Sequence, residues 1–196
     1  DVKAVLDHLN ISKLHLLGCS MGGMIAQHFA LTYPDMLNSL ILCCTAANMT
    51  VPIVSEVNPE QLFVMTEVTL ESLRTVLSFI FTKKYIDWLF SDEGREEFNG
   101  LIKEMAKYPP TPKGMKYQFS AIREHNTLDR LKDITIPTLI LVGKKDILLP
   151  ARNSKILAKH IPNSELQILE GGHGFWIESE QAFNQSVLDF LRLHKI

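Results

Sequence analysis

Apolar and polar positions alternate along this chain with two distinct periods, and the period changes twice. Val2, Val5, Leu6 and Leu9 recur at helical spacing, so the first residues predict an amphipathic helix. Lys13 to Gly18 follows as a short apolar run, the pattern of a strand in a parallel sheet. From Met21 the pattern is helical again until Pro34, whose ring cannot continue a helix. "LNSLILCC" then supplies a second apolar strand. Helix, strand, helix, strand is the rhythm of a parallel α/β sheet.

Between about Asn48 and Asn126 that rhythm stops. "TLESLRTVLSFIF", "TKKYIDWLF" and "DEGREEFNGLIKEMAKY" predict successive helices, with Leu70, Leu73, Leu77 and Ile80 on the apolar face of the first. "YPPTPKG" interrupts the run before a further helix around Met115 to Ile122. The α/β rhythm resumes with a strand in "IPTLILVGKKD", a helix in "ARNSKILAKHIP" and a strand in "SELQILEGGHGF". A last helix aligns Phe183, Val187, Phe190 and Leu191. The division expected is a core of residues 1–47 and 128–196 carrying an inserted helical cap, residues 48–127.

Composition narrows the class of partner. The 196 residues are 46% hydrophobic and 21% charged, enough for one ordinary globular core. A formal net charge of −2 gives no attraction to nucleic acid or an anionic membrane. No apolar run approaches the roughly 18 residues of a membrane span. Cys19, Cys43 and Cys44 form no Cys-x-x-Cys pair, so no metal site and no cofactor is expected. An odd, low cysteine count fits a reducing, cytoplasmic setting.

The candidate chemistry lies at the ends of the predicted strands. Gly18-Cys19-Ser20-Met21-Gly22 fits Gly-x-Ser-x-Gly between a strand and a helix. Such a turn presents its central hydroxyl beside a helix N-terminus, and the residues two positions away must be small for the backbones to pass. The bland alternative is a glycine-rich packing turn. Serine needs a base, and the base an orienting acid. His8, His28, His160 and His194 fall within helices, His15 within a strand and His125 at the end of the helical stretch. His173 differs, following a strand directly and flanked by Gly171, Gly172 and Gly174 on what reads as a flexible-backbone loop. Asp146 ends "LILVGKKD" and completes the order Ser, Asp, His, although aspartates in such turns often bond only the local backbone. Cys19 reads as a packing group, because an elbow presents only its central residue. Phe63, Met65, Phe79, Phe81, Trp88 and Phe90 read mostly as helix packing, Trp176 as support for the histidine loop, and "SDEGREEF" as a solvated helix start.

"LLGCSMGG", "IPTLILVGKKDILLP" and "LEGGHGFWIE" together resemble the α/β-hydrolase superfamily, over the whole span from Asp1 to Ile196. The resemblance is to its branch of enol-lactonases, small-ester carboxylesterases and C–C hydrolases. It implies Ser20 as nucleophile, Asp146 as acid, His173 as base and the Met21 backbone N–H as one oxyanion donor. It implies a serine hydrolase acting, without cofactor, on a small ester, lactone or thioester. C–C hydrolysis, acyl transfer and cofactor-free haloperoxidation can use the same triad, and a non-catalytic binding module can use the same fold. Family members carry further amino-terminal strands, absent from this sequence, and with them the second oxyanion donor. The expected fold is therefore a partial α/β-hydrolase fold whose exposed edge favours self-association or pairing with a missing segment.

Overall fold

The computed structural model describes residues 1–49, 70–108 and 111–195. Phe63 and Met65 lie outside them. Four strands, β1 (Leu14–Cys19), β2 (Leu37–Cys43), β3 (Thr138–Gly143) and β4 (Ser164–Leu169), pair in parallel in the order β1-β2-β3-β4. Helices α1 (Val2–His8), α2 (Met21–Thr32), α7 (Ala151–His160), α8 (Phe175–Glu178) and α9 (Glu180–Leu193) accompany the sheet. The intervening stretch contributes α3 (Leu70–Ile80), α4 (Lys83–Leu89), α5 (Arg95–Lys107) and α6 (Pro112–Glu124), and no strand among its described residues.

The central strands are apolar throughout because both sheet faces are covered. Alternate residues of a strand point to opposite faces. Leu40 and Leu42 of β2 and Ile140 of β3 join Phe29, Leu131 and Leu157 on one side. Ile41 and Cys43 of β2, with Leu139 and Leu141 of β3, join Phe175 and Phe190 on the other. Truncating one of these, Ile140→Ala for example, costs about 2–5 kcal/mol. A separate apolar cluster, built from Leu77, Phe81, Ile86 and Leu89, holds α3 and α4 together and reaches Ile177.

The structure departs from the sequence pattern at the first helix, while β1 takes the exposed edge expected of it. Of the apolar face expected on α1, only Leu6 is buried, while Val5 and Leu9 are each 57% exposed. β1 lies at the sheet edge, and its Leu17 is 41% exposed. Both elements border a side of the sheet that no other described strand covers. Three short elements among the described residues escaped the pattern altogether: 3-10 helices at Pro34–Met36 and Leu128–Asp133 and the four-residue α8. None is long enough to display a period.

Asn48 and Asn126 form an isolated antiparallel bridge. Beside it the Thr127 amide donates to the Ala47 carbonyl at 2.8 Å, and the Thr127 hydroxyl bonds Gln27 Oε1 at 2.6 Å. The chain leaves and re-enters the sheet layer at neighbouring residues, of which Ala47, Asn48 and Thr127 are buried and Asn126 is exposed. Among the described residues no helix is long and apolar enough to cross a membrane.

Candidate active site

Parallel strands bring their carboxyl ends to one edge, and the residues singled out in the sequence stand just beyond those ends. Ser20 directly follows β1, Asp146 comes three residues after β3 and His173 four residues after β4.

Ser20 has φ +53° and ψ −121°, a region that side chains rarely adopt and that costs on the order of 1–3 kcal/mol. Its amide donates to the Cys43 carbonyl at 2.9 Å, and its own carbonyl accepts from the Gly23 amide at 2.9 Å. The strained residue is thus held from both sides. Met21 opens α2, so its N–H belongs to the first turn and has no intrahelical acceptor. Crowding at the elbow differs from the expectation. A Cβ on Gly18 would lie 2.3 Å from the Gly22 carbonyl oxygen, and one on Gly23 would lie 2.6 Å from Thr45 Cβ. A Cβ on Gly22 would meet nothing within 4 Å. The glycines under steric demand are therefore Gly18 and Gly23, not the pair that flanks Ser20 symmetrically.

His173 and Asp146 form a buried pair. Nδ1 of His173 lies 2.8 Å from Asp146 Oδ2, and the two residues are 6% and 4% exposed. A carboxylate can only accept, so Nδ1 donates in this bond, and the neutral form of the ring in that tautomer offers Nε2 as an acceptor. The other carboxylate oxygen accepts from the Leu148 and Leu149 amides at 2.9 and 2.8 Å. Asp146 thus bonds its local backbone and the imidazole together. Ser20 Oγ makes no hydrogen bond to His173 in this structure.

The loop bearing His173 is packed rather than loose, which corrects the flexible reading of its glycines. A Cβ on Gly172 would lie 2.7 Å from the Ile80 carbonyl oxygen, and one on Gly174 would lie 2.4 Å from the Phe81 ring. The Gly174 amide donates to the Ile80 carbonyl at 2.8 Å. Trp176 meets His173 edge to face, with ring centroids 6.3 Å apart. These glycines admit a neighbouring chain, not motion.

Cys44 was legible only as a strand residue, yet it stands beyond β2 with φ +39°, between the serine and the acid in strand order. Its sulfur and donor atoms of Asp146 and His173 all lie within 4.8 Å of one another. Among the described residues this trio alone offers three donors close enough for one metal ion, and the imidazole–carboxylate bond already uses Nδ1 and Oδ2. Burial and the Asp146 charge push the Cys44 thiol well above its ordinary value, which favours a neutral packing group. Cys19 pairs in register with Cys43 and is held below its usual value by the Cys43 thiol.

The remaining histidines serve the framework. His125 is buried, with Nε2 3.0 Å from the Ala46 carbonyl and Nδ1 3.3 Å from His28 Nε2. Burial, more than the neighbouring His28 and Arg130, lowers its pKa from 6.5 to about 4. His15 bonds Ser39 at 2.7 Å.

A cavity of about 270 Å³ adjoins the histidine loop, lined in part by Phe79, Phe81, Lys84, Lys145, Ile147 and Gly172. Within the helical stretch Phe81 is buried in the local cluster, whereas Trp88 is 41% exposed.

Comparison with known proteins finds relatives along most of this chain. The chain is 28% identical over 187 residues to 3-oxoadipate enol-lactonase 2 of Acinetobacter baylyi, which covers 95% of this chain and 67% of that protein. It is 29% identical over 189 residues to a poly(3-hydroxyalkanoate) depolymerase of Ectopseudomonas oleovorans, covering 96% of this chain and 64% of the relative. The enol-lactonase structure from Burkholderia xenovorans LB400 superposes with a TM-score of 0.80 at 25% identity, over 98% of this chain and 70% of that one. The chain thus spans about two thirds of the length of the proteins it matches. The family model described as alpha/beta hydrolase fold matches residues 1–180, and this chain belongs to the α/β-hydrolase fold family.

Proposed function

We propose that this chain carries the catalytic triad of a serine hydrolase acting on a small carboxylic ester, lactone or thioester. Ser20 is the nucleophile, His173 the general base and Asp146 its orienting acid. The buried His173–Asp146 pair carries the reading. Two ionisable groups withdrawn from water cost several kcal/mol in desolvation, a cost that hydrogen bonding offsets and catalysis explains. The strained φ of Ser20 and the names of the relatives, enol-lactonase and depolymerase, support it.

In the first half-reaction His173 Nε2 accepts the Ser20 proton as Oγ bonds to the substrate carbonyl carbon. The carbonyl oxygen becomes an oxyanion beside the Met21 N–H. Collapse breaks the bond to the leaving oxygen or sulfur, which takes the proton from His173 and leaves an acyl-serine. In the second half-reaction His173 draws a proton from water, the hydroxyl adds to the acyl carbon, and Ser20 leaves with the proton returned. Asp146 stabilises the imidazolium in both halves. In the reactive complex Ser20 Oγ must lie within hydrogen-bond reach of His173 Nε2.

The helices of residues 48–127 act as a cap over this edge, their attachment at Asn48 and Asn126 keeping them beside the sheet. The cavity beside α3, the start of α4 and the His173 loop is lined by neither Ser20 nor His173, so it would take only a part of the substrate remote from the reacting carbonyl, where its lysines favour a carboxylate. Labelling with a fluorophosphonate tests the nucleophile directly. A single adduct on Ser20, lost in Ser20→Ala, is the expected result; an unlabelled, folded protein overturns the proposal.

A further inference from the structure

Resting on the triad reading, we propose that Glu178 is a positioning residue for His173, fastening the base loop to the α3–α4 junction through one carboxylate. Glu178 lies at the end of α8, five residues beyond the base, where sequence pattern gives it no role.

One of its oxygens accepts from the Gly172 amide at 2.7 Å. Both accept from the Thr82 amide, at 3.2 and 3.3 Å, and Oε2 also accepts from the Thr82 hydroxyl. Thr82 is remote in sequence and caps α4, its hydroxyl oxygen accepting from the Tyr85 amide. One partly buried charge thereby satisfies donors from two segments that share no secondary structure. Charge-assisted bonds of this kind are about twice as strong as neutral ones.

The connection bears on the base because Gly172 immediately precedes His173. The amides on either side of the imidazole-bearing residue are both committed to this contact zone. Gly172 N–H binds Glu178, and Gly174 N–H binds the Ile80 carbonyl at 2.8 Å. The ring is thus fixed at Nδ1 by Asp146 and at its backbone by Glu178 and Ile80. The Tyr85 hydroxyl, raised to about 12 mainly by burial and further by the Glu97 and Glu178 charges, places that carboxylate's field at the helix junction. A shift of about 1 Å at a catalytic group can cost on the order of 100-fold in rate. The helical segment therefore holds the base in register, and does more than roof the site.

Glu178→Ala and Glu178→Gln, each with a thermal melt to confirm folding, separate this role from bulk stability. Glu178→Ala should lower kcat for p-nitrophenyl acetate by about 10–100-fold with KM nearly unchanged. Glu178→Gln, which keeps one carbonyl oxygen for the Gly172 amide, should recover most of that loss. Proton NMR supplies a readout that does not require turnover. The Nδ1 proton shared by His173 and Asp146 should give a downfield resonance in the parent that broadens in Glu178→Ala. A folded Glu178→Ala protein with the parent's kcat, or with that resonance intact, overturns the role of Glu178. A parent protein with an unlabelled Ser20 but the same NMR response sinks the hydrolase reading alone.

Discussion

His173 Nδ1 and Asp146 Oδ2 meet at 2.8 Å while the other Asp146 oxygen takes two backbone amides from Leu148 and Leu149. The carboxylate is therefore aimed before the imidazole arrives, and the loop after β3 sets the tautomer of a ring on the loop after β4. Asp146→Asn keeps the shape but lets an amide face Nδ1, which favours the tautomer with Nε2 protonated. Turnover should fall by about 10⁴-fold, as it does where aspartate serves this role in related triads. Activity within tenfold of the parent, measured on p-nitrophenyl esters, would show that the pair only stabilises the fold.

The unequal crowding at the elbow predicts unequal substitutions. Gly18→Ala puts a methyl against the Gly22 backbone, so the turn must open and Ser20 must move. Activity should drop at least 100-fold, with the melting temperature lowered. Gly22→Ala meets open space and should retain the fold and the fluorophosphonate label. Equal damage from both substitutions would contradict the geometry.

Stability should fall on the acid side of neutrality. His125 is depressed from 6.5 to about 4 in the folded chain, so the unfolded chain binds the extra proton between those values. Its contribution is complete above pH 6.5 and disappears as pH falls toward 4. The total is on the order of 3 kcal/mol. Thermal melts from pH 7 to pH 4 should show a steeper decline in the parent than in His125→Asn. Parallel curves would remove His125 as the cause.

The lysines at the cavity predict a charge preference. Lys83 is paired with Asp87, and Lys145 feels the Glu170 carboxylate, whereas no ion pair is formed by Lys84 among the described residues. Lys84→Ala and Lys145→Ala should each reduce kcat/KM for a carboxylate-bearing ester, relative to a neutral one, by about twofold to fivefold. The difference should shrink at 1 M salt, where screening acts within about 3 Å. An unchanged ratio would place the substrate elsewhere.

Among the described residues no strand pairs with the outer edge of β1, which predicts association. Its backbone groups and the exposed Leu17 form a template for another strand. Light scattering on this 22.2 kDa chain should report a larger particle. A stable, well-folded monomer would overturn that expectation.

Most of the sheet was legible because its strands are apolar on both faces and separated by helices of ordinary length. The tight strand-to-helix turn at Ser20 was legible because Gly18 to Gly22 joins a motif to its required context. The meeting of His173 with Asp146 was expected from strand order, and the parallel sheet supplies the reason. Glu178 and Cys44 were not legible. Glu178 acts on Thr82, 96 residues away, and no local period encodes such a partner. Cys44 belongs to the site through the position of β2 between two other strands, a fact of topology rather than of residue type. The exposed face of α1 was misread for the same reason: spacing tells which residues share a side, and not what stands opposite them.

The bridge between Asn48 and Asn126 gives the chain a single doorway. Everything from the end of β2 to the start of the 3-10 helix before β3 passes out and back through neighbouring residues, so its length can vary without altering the register Leu40 to Thr138. The helical stretch is in this sense a cassette. Transplanting another between the same two asparagines would change what reaches Ser20 while leaving the sheet as it stands, provided that the replacement also supplies an amide and a hydroxyl for Glu178.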